Sequence, residues 1–292
     1  MKHLQFIRMA AKAFIFSNNE KNKSINLWLE LAANCLCLFL VLCVFGCIQK
    51  KEFTIEIPAQ TSATIVEAYL TPDKPMEISI TKNNLLTDEL IFQSIWNAKV
   101  FISDKVDTMS LLNIYYFNNT RNLLINYRND STPLCFKNKA YYLRIITKSG
   151  DTLLSQTEAV SPIKLEGMKV EQNYLRLMKK VEAGSFTGYV RVDMTSFKHD
   201  SIFSSTSKYI DCNGFRSDSL KILLPEDIRS GDSLLVRVFH IRPEYYNYQT
   251  SILNAQMAYY DPFLSPEKIK SNIKNGIGIF TFYTSDSKKI KL

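Results

Sequence analysis

Beyond about residue 60 the chain alternates apolar and polar side chains with a period of two. In MEISIT, Met76, Ile78 and Ile80 fall on one face and Glu77, Ser79 and Thr81 on the other, the pattern of a half-buried strand. Comparable runs occupy Thr64–Leu70, Asn97–Ser103, Leu111–Phe117, Asn122–Arg128, Ala140–Thr147 and Asp151–Ala159. Turn formers stand between them, among them Thr71-Pro72-Asp73, Asn118-Asn119, Asn129-Asp130 and Ser149-Gly150-Asp151. Short strands at this spacing, with no long helical period among them, predict a β-sandwich of immunoglobulin or fibronectin-III type over 61–162, ending near Ser161-Pro162.

The second half, 163–292, reads as a β-rich α+β domain. Val190, Val192 and Met194 alternate against Tyr189, Arg191 and Asp193, within a strand predicted over Phe186–Thr195. SLKILLP and DSLLVRVFHI read as two strands joined by a turn at Arg229–Asp232. A helix is predicted from Pro243, a residue suited to the first helical turn, with Tyr245, Tyr248, Ile252 and Ala255 on one stripe. A short helix is predicted at Ser265-Pro266-Glu267, and the strand GIGIFTFY closes the chain. Val170–Glu182 fits no single period. The fold class is mainly β, with one or two short helices.

Residues 31–46, LAANCLCLFLVLCVFG, break the alternation with a continuous uncharged run behind Lys2, Arg8, Lys12, Lys21 and Lys23. A basic leader, an apolar core and a small residue at the cut make a secretory signal. Val44-Phe45-Gly46-Cys47 resembles a lipobox, with cleavage between Gly46 and Cys47 and lipid on the Cys47 thiol. The alternative, an uncleaved membrane anchor, needs roughly 20 apolar residues, a length the run reaches only by taking in Glu30. Residues 1–46 therefore read as a signal peptide and 47–60 as a tether. Gln49-Lys50-Lys51-Glu52 is similar to the short charged signal of surface-exported lipoproteins in the Bacteroidota.

Composition narrows the functions. The formal net charge of +8 includes the five basic leader residues, and no basic stripe with interleaved aromatics follows, so nucleic acid is not an expected partner. Of the six cysteines, three lie in the signal and Cys47 takes lipid, leaving Cys135 and Cys212. An oxidising envelope permits a disulfide between these two, and two buried thiols are the alternative. With so few cysteines and histidines no metal site or cofactor is expected.

Catalytic patterns are weak throughout. His240 ends an apolar alternating face, which suits a packed strand-end residue. His199-Asp200 are the right types for a base and its orienter, but adjacent side chains seldom aim at each other. Two Ser-x-x-Lys matches, Ser265–Lys268 and Ser285–Lys288, read as a helix cap and a polar tail. No catalytic residue is assigned. Thr108, Thr152, Ser201, Ser219 and Ser233 each follow an aspartate and precede an aliphatic residue, a pattern of envelope O-glycosylation that is also ordinary turn chemistry. Among the clustered tyrosines Tyr245 and Tyr248 face the core stripe, which leaves Tyr246 as the candidate partner contact. Asn275-Gly276 before Ile277 and Gly278 makes a turn into a strand. A phosphate loop would need a strand leading into a helix N-terminus instead.

IVEAYLTPDKPMEISIT, NAKVFISD, KAYYLRIITKSGDTLLSQTEAVSP, DSLLVRVFHIRPEYYNYQTSI and the closing SNIKNGIGIFTFY together carry a resemblance. The chain resembles the Bacteroidota outer-membrane lipoprotein family known as domain of unknown function 4249. It departs from the family at SFKHDSIF, where a Tyr-Tyr pair is usual. The resemblance implies a non-enzymatic lipoprotein on the outer membrane, facing the cell surface. It would be partnered with a TonB-dependent receptor of starch-utilisation type in nutrient uptake, its ligand unspecified. A stand-alone adhesin or structural lipoprotein, and an envelope hydrolase, are the alternatives.

Overall fold

The alternation of the first half becomes paired strands almost residue for residue. The computed structural model describes residues 62–72, 74–83, 93–119, 121–133, 139–179, 188–214, 219–261, 263–265 and 267–292, together with Leu36. The first strands are β1 (Thr64–Leu70), β2 (Met76–Lys82), β3 (Gln93–Ser94), β4 (Lys99–Ser103), β5 (Thr108–Asn118), β6 (Leu123–Asn129), β7 (Ala140–Ile146) and β8 (Thr152–Glu158). Next come β9 (Leu165–Glu171), β10 (Tyr174–Lys179), β11 (Tyr189–Lys198), β12 (Ser201–Asp211) and β13 (Ser219–Leu223). The chain continues through α1 (Glu226–Arg229), β14 (Ser233–Ile241), α2 (Pro243–Tyr260) and β15 (Ile277–Lys291). The protein is mainly β and sandwich-like, with one large mixed sheet and a small second one.

In the large sheet the strands run β12-β11-β14-β15-β1-β2-β6-β5-β4-β7-β8, with β3 beside β2. It folds over on itself because β5 changes partners. Residues 108–111 of β5 pair with β4, and residues from Leu112 onward pair with β6, with an irregularity between Asn113 and Tyr116. A strand that passes between sheets at such a break turns a corner of a sandwich. The layers enclose Val66, Ala68 and Leu70 from β1, Ile78 and Ile80 from β2, Val100 and Ile102 from β4, and Leu143 and Ile145 from β7. Buried Asn126 ties β6 to β2 and to the residue after β3. Its Oδ1 accepts from the Ile80 amide at 2.8 Å, and its Nδ2 donates to the carbonyls of Ile80 and Ile95 at 2.8 and 2.9 Å.

A second core lies between the β12-β11-β14-β15 end of the large sheet and the small sheet β13-β10-β9. Val190, Val192 and Met194 meet Leu234, Val236 and Val238 there, opposite Leu175, Leu177, Leu220 and Ile222. Of Val170–Glu182, the described residues 170–179 resolve into parts of β9 and β10, which reverse around Gln172 at φ 53°. The two strands expected on either side of Arg229–Asp232 are β13 and β14; α1 also lies between them, and each strand enters a different sheet.

β15 belongs to both cores. Residues 277–282 pair with β1 in parallel, and residues 283–291 pair with β14 in antiparallel. Phe280 and Phe282 enter the first core, with Phe282 stacked at 5.8 Å on Tyr141, while Ile290 packs against the second. Each of these phenylalanines contributes about 1.5–3 kcal/mol on burial. The polar tail after Tyr283 is therefore the second half of a strand, and the closing strand does not belong to 163–292 alone. Ala59–Leu292 cluster as one compact unit.

The parallel pairing explains Gly278. Its φ is +125°, and a Cβ there would stand 1.9 Å from the Val66 carbonyl oxygen, a close backbone approach that glycine alone permits. The described residues around Ser265 and Glu267 form no helix, so an irregular segment leads into Asn275 (φ 64°) and β15. Two backbone bonds between Leu154 and Lys274, at 3.3 and 2.8 Å, clip this segment to β8.

Candidate functional site

α2 begins at Pro243, with Arg242 extended before it and Glu244 in its first turn, the arrangement that proline and the helix dipole favour. Its start is pinned to β8: Thr157 Oγ1 donates to Glu244 Oε1 at 2.7 Å, and Arg242 pairs with Glu158 at 3.2 Å. Tyr245, Tyr248 and Ser251 are the buried residues of this helix.

Beneath them lies a cluster of aromatic and charged side chains drawn from several strands. Arg191 Nη1 donates to the Tyr245 hydroxyl at 2.7 Å, and its Nε and Nη2 bond both Asp193 oxygens at 2.7 Å. The guanidinium lies 4.9 Å from the Phe239 ring centroid and 5.9 Å from that of Tyr209. Arg121 donates to the Tyr283 hydroxyl at 3.1 Å and stands 5.7 Å from the Tyr69 ring. Tyr248 donates its hydroxyl proton to Glu67 Oε1 at 3.1 Å.

Burial alone would favour the neutral form of Arg191, but Tyr245 and Asp193 outweigh it and hold the guanidinium charged. Burial pushes the hydroxyls of Tyr69, Tyr245 and Tyr248 above the usual tyrosine range. Burial likewise raises Glu67, against the opposing hydrogen bond from Tyr248. The cations are matched by hydrogen-bond acceptors and ring faces, so the cluster works as a clamp for α2. Nothing in it is arranged as a nucleophile with its base.

The clamp holds only the first half of the helix. In the second half Leu253, Met257 and Tyr260 recur at helical spacing on one face, and Met257 and Tyr260 are 53% and 84% exposed. Tyr259, Phe263 and Leu264 extend this apolar surface, Phe263 being 95% exposed. Tyr246 sits seven residues before Leu253, but its ring packs 4.7 Å from Tyr189 and is half-buried. The exposed apolar surface of α2 therefore lies toward its C-terminus. Two stripes on one helix were the available signal: Tyr245, Tyr248, Ile252 and Ala255 make one, and Tyr246, Leu253, Met257 and Tyr260 make the other.

Other residues singled out in the sequence do not gather into a site. His199 and Asp200 have φ 49° and 60° and form the two-residue turn between β11 and β12, the hairpin geometry that matches strand twist. His240 Nδ1 lies 2.9 Å from the Ser161 carbonyl. Ser285 and Lys288 lie on β15, three residues apart, where side chains point to opposite faces. Ser265 and Lys268 sit in the irregular segment before β15 rather than on a helix. Thr108, Thr152, Ser201, Ser219 and Ser233 are each the first residue of a strand. Cys212 is fully buried, and its N–H donates to the Gly188 carbonyl at 2.7 Å. Gly46, Cys47 and Cys135 lie outside the described residues. Among the described residues no cluster of His, Cys, Asp or Glu could hold a metal, and no helix is long and apolar enough to cross a membrane.

Residues 50–289 match the family described as domain of unknown function, DUF4249. The chain belongs to this family. The DUF4249 match takes in both cores, the clamp and most of the shared strand. A search of curated proteins returns no significant match. Among solved structures, one crystal form of a cytokine receptor complex aligns at 9% identity over 59% of this chain and 89% of that one, with a TM-score of 0.27. Another crystal form aligns at 8% identity over 62% and 86%, with a TM-score of 0.28. At such scores the likeness carries no argument.

Proposed function

We propose that this DUF4249 protein is a non-enzymatic outer-membrane lipoprotein of the Bacteroidota type, held by lipid on Cys47 and docked on a TonB-dependent receptor in nutrient uptake. The observation that carries the reading is the apolar surface of Leu253, Met257 and Tyr260 on a helix whose other end is clamped, with exposed Phe263 in the turn that follows. Exposed apolar groups contiguous on a rigid element mark an interaction surface. The lipobox at Val44–Cys47 supports the membrane anchor, and Gln49–Glu52 supports display at the cell surface.

Native purification from detergent-solubilised outer membrane tests the partnership, with co-recovery of a β-barrel receptor as the expected result. Recovery of the lipoprotein alone would count against it and favour the stand-alone adhesin. In the same strain Cys47→Ala should leave an unprocessed precursor without incorporated lipid label; normal processing would remove the lipobox assignment.

A further inference from the structure

The outer face of β4, β7 and β8 is unlike an ordinary solvated sheet surface. Pairing register places Phe101, Arg144 and Leu154 in one row and Ser103, Tyr142 and Gln156 in the next. Their chain neighbours Val100, Ile102, Leu143, Ile145 and Leu153 point the other way, into the core. β8 would be a free edge, but the segment before β15 covers it: Ser155 Oγ donates to the Asn272 carbonyl at 2.8 Å, and Leu154 pairs with Lys274. That added wall helps turn the face into a recess of about 640 Å³.

The chemistry of the recess is one-sided. Of the residues lining it, Arg144 lies 5.0 Å from the Phe101 ring centroid and Lys274 stands beside Leu154 on the wall; Lys105, outside the lining, lies 5.6 Å from the Tyr142 ring centroid. Among the described residues none of these three cations has an ion-pair partner, and no carboxylate lines the recess. Asp104 and Glu158, the acids at the far ends of β4 and β8, are already paired with Lys139 and Arg242. The Ser103 and Tyr142 hydroxyls and the Gln156 amide face the same space without a hydrogen-bond partner among the described residues.

We infer that this recess binds an acidic oligosaccharide, with a carboxylate or sulfate group on Arg144 and Lys274 and sugar hydroxyls on Ser103, Tyr142 and Gln156. Three features select this class. A guanidinium backed by a ring is held flat, and it presents its N–H edge to a planar or tetrahedral anion. Neutral hydroxyl and amide groups suit a polyhydroxylated body. A peptide strand is disfavoured because the backbone edge of β8 that it would pair with is already taken by Lys274. The inference concerns a different face from the α2 surface and does not depend on the docking role.

Isothermal titration of the full-length, detergent-solubilised protein with trigalacturonate is the test, with maltotriose as the neutral control and a glutamate-rich peptide as the other polyanion. Trigalacturonate should bind and weaken as salt is raised. Arg144→Gln and Lys274→Gln should each reduce its affinity by about tenfold or more, the effect of losing a charge-assisted hydrogen bond. Both side chains are exposed, so the melting temperature should stay unchanged. Equal binding of maltotriose, tighter binding of the peptide, or affinity indifferent to the double variant would each overturn the proposal.

Discussion

Gly278 and Glu67 show how single residues reflect constraints from opposite ends of the chain. A side chain at position 278 meets the β1 backbone 212 positions earlier, at the 1.9 Å from Val66 O noted above. Gly278→Ala should destabilise the protein by about 3 kcal/mol or more, through a strained φ and an overpacked strand pair, read as a lowered midpoint in thermal or urea unfolding. Glu67 acts through its charge. Its carboxyl is raised by burial and stays above the ordinary range despite the bond from Tyr248. A raised acid binds its proton more tightly in the folded state, so its contribution is fully present below the unfolded pKa and is lost as pH rises through the folded pKa. Glu67→Gln keeps an acceptor for Tyr248 and has no charge to bury. The variant should therefore be more stable than the wild type at neutral pH, with the difference shrinking as pH falls through the raised folded-state pKa and gone below about 4. A constant difference across that range would remove Glu67 as its source.

At the scale of elements, the period of the sequence is most informative where one face is buried. The run of α2 from Pro243 was readable because Tyr245 and Tyr248 recur at helical spacing and do lie in the core. β12 was not, because Ser201–Asp211 is rich in hydroxyls and, among the described residues, is an edge strand paired with β11 alone, and such edges need no apolar face. The same limit hid the outer stripe of α2, since an exposed leucine or methionine has the same identity as a buried one. Met257→Lys with Tyr260→Lys, cations that suit a helix C-terminus, should change stability by no more than about 0.5 kcal/mol, as exposed positions do. The pair should nevertheless abolish co-purification with the proposed receptor. Loss of folding in circular dichroism, or an undiminished complex, would refute the assignment of this surface.

For the whole molecule the decisive element is β15, which supplies Phe280 and Phe282 to the first core and packs Ile290 on the second. One strand held at both ends couples the cores, so calorimetry should show a single cooperative transition rather than two. Truncation before Thr284 strips β14 of its pairing over 284–291 and should lower that transition while exposing apolar surface to a hydrophobic dye. The sequence by itself determined the strand content, the sandwich alternation, the start of α2 and the turn before β15, because each follows from side chains and backbone preferences within about ten residues. Tertiary structure decided the rest. Which sheet a strand enters depends on partners far along the chain, as for β13 and β14. Gly278 needed the β1 carbonyl, Tyr246 needed Tyr189, and the recess needed three strands in register with Lys274. None of these contacts leaves a local period to read, because the residues that make them are brought together only when the two cores close around one strand.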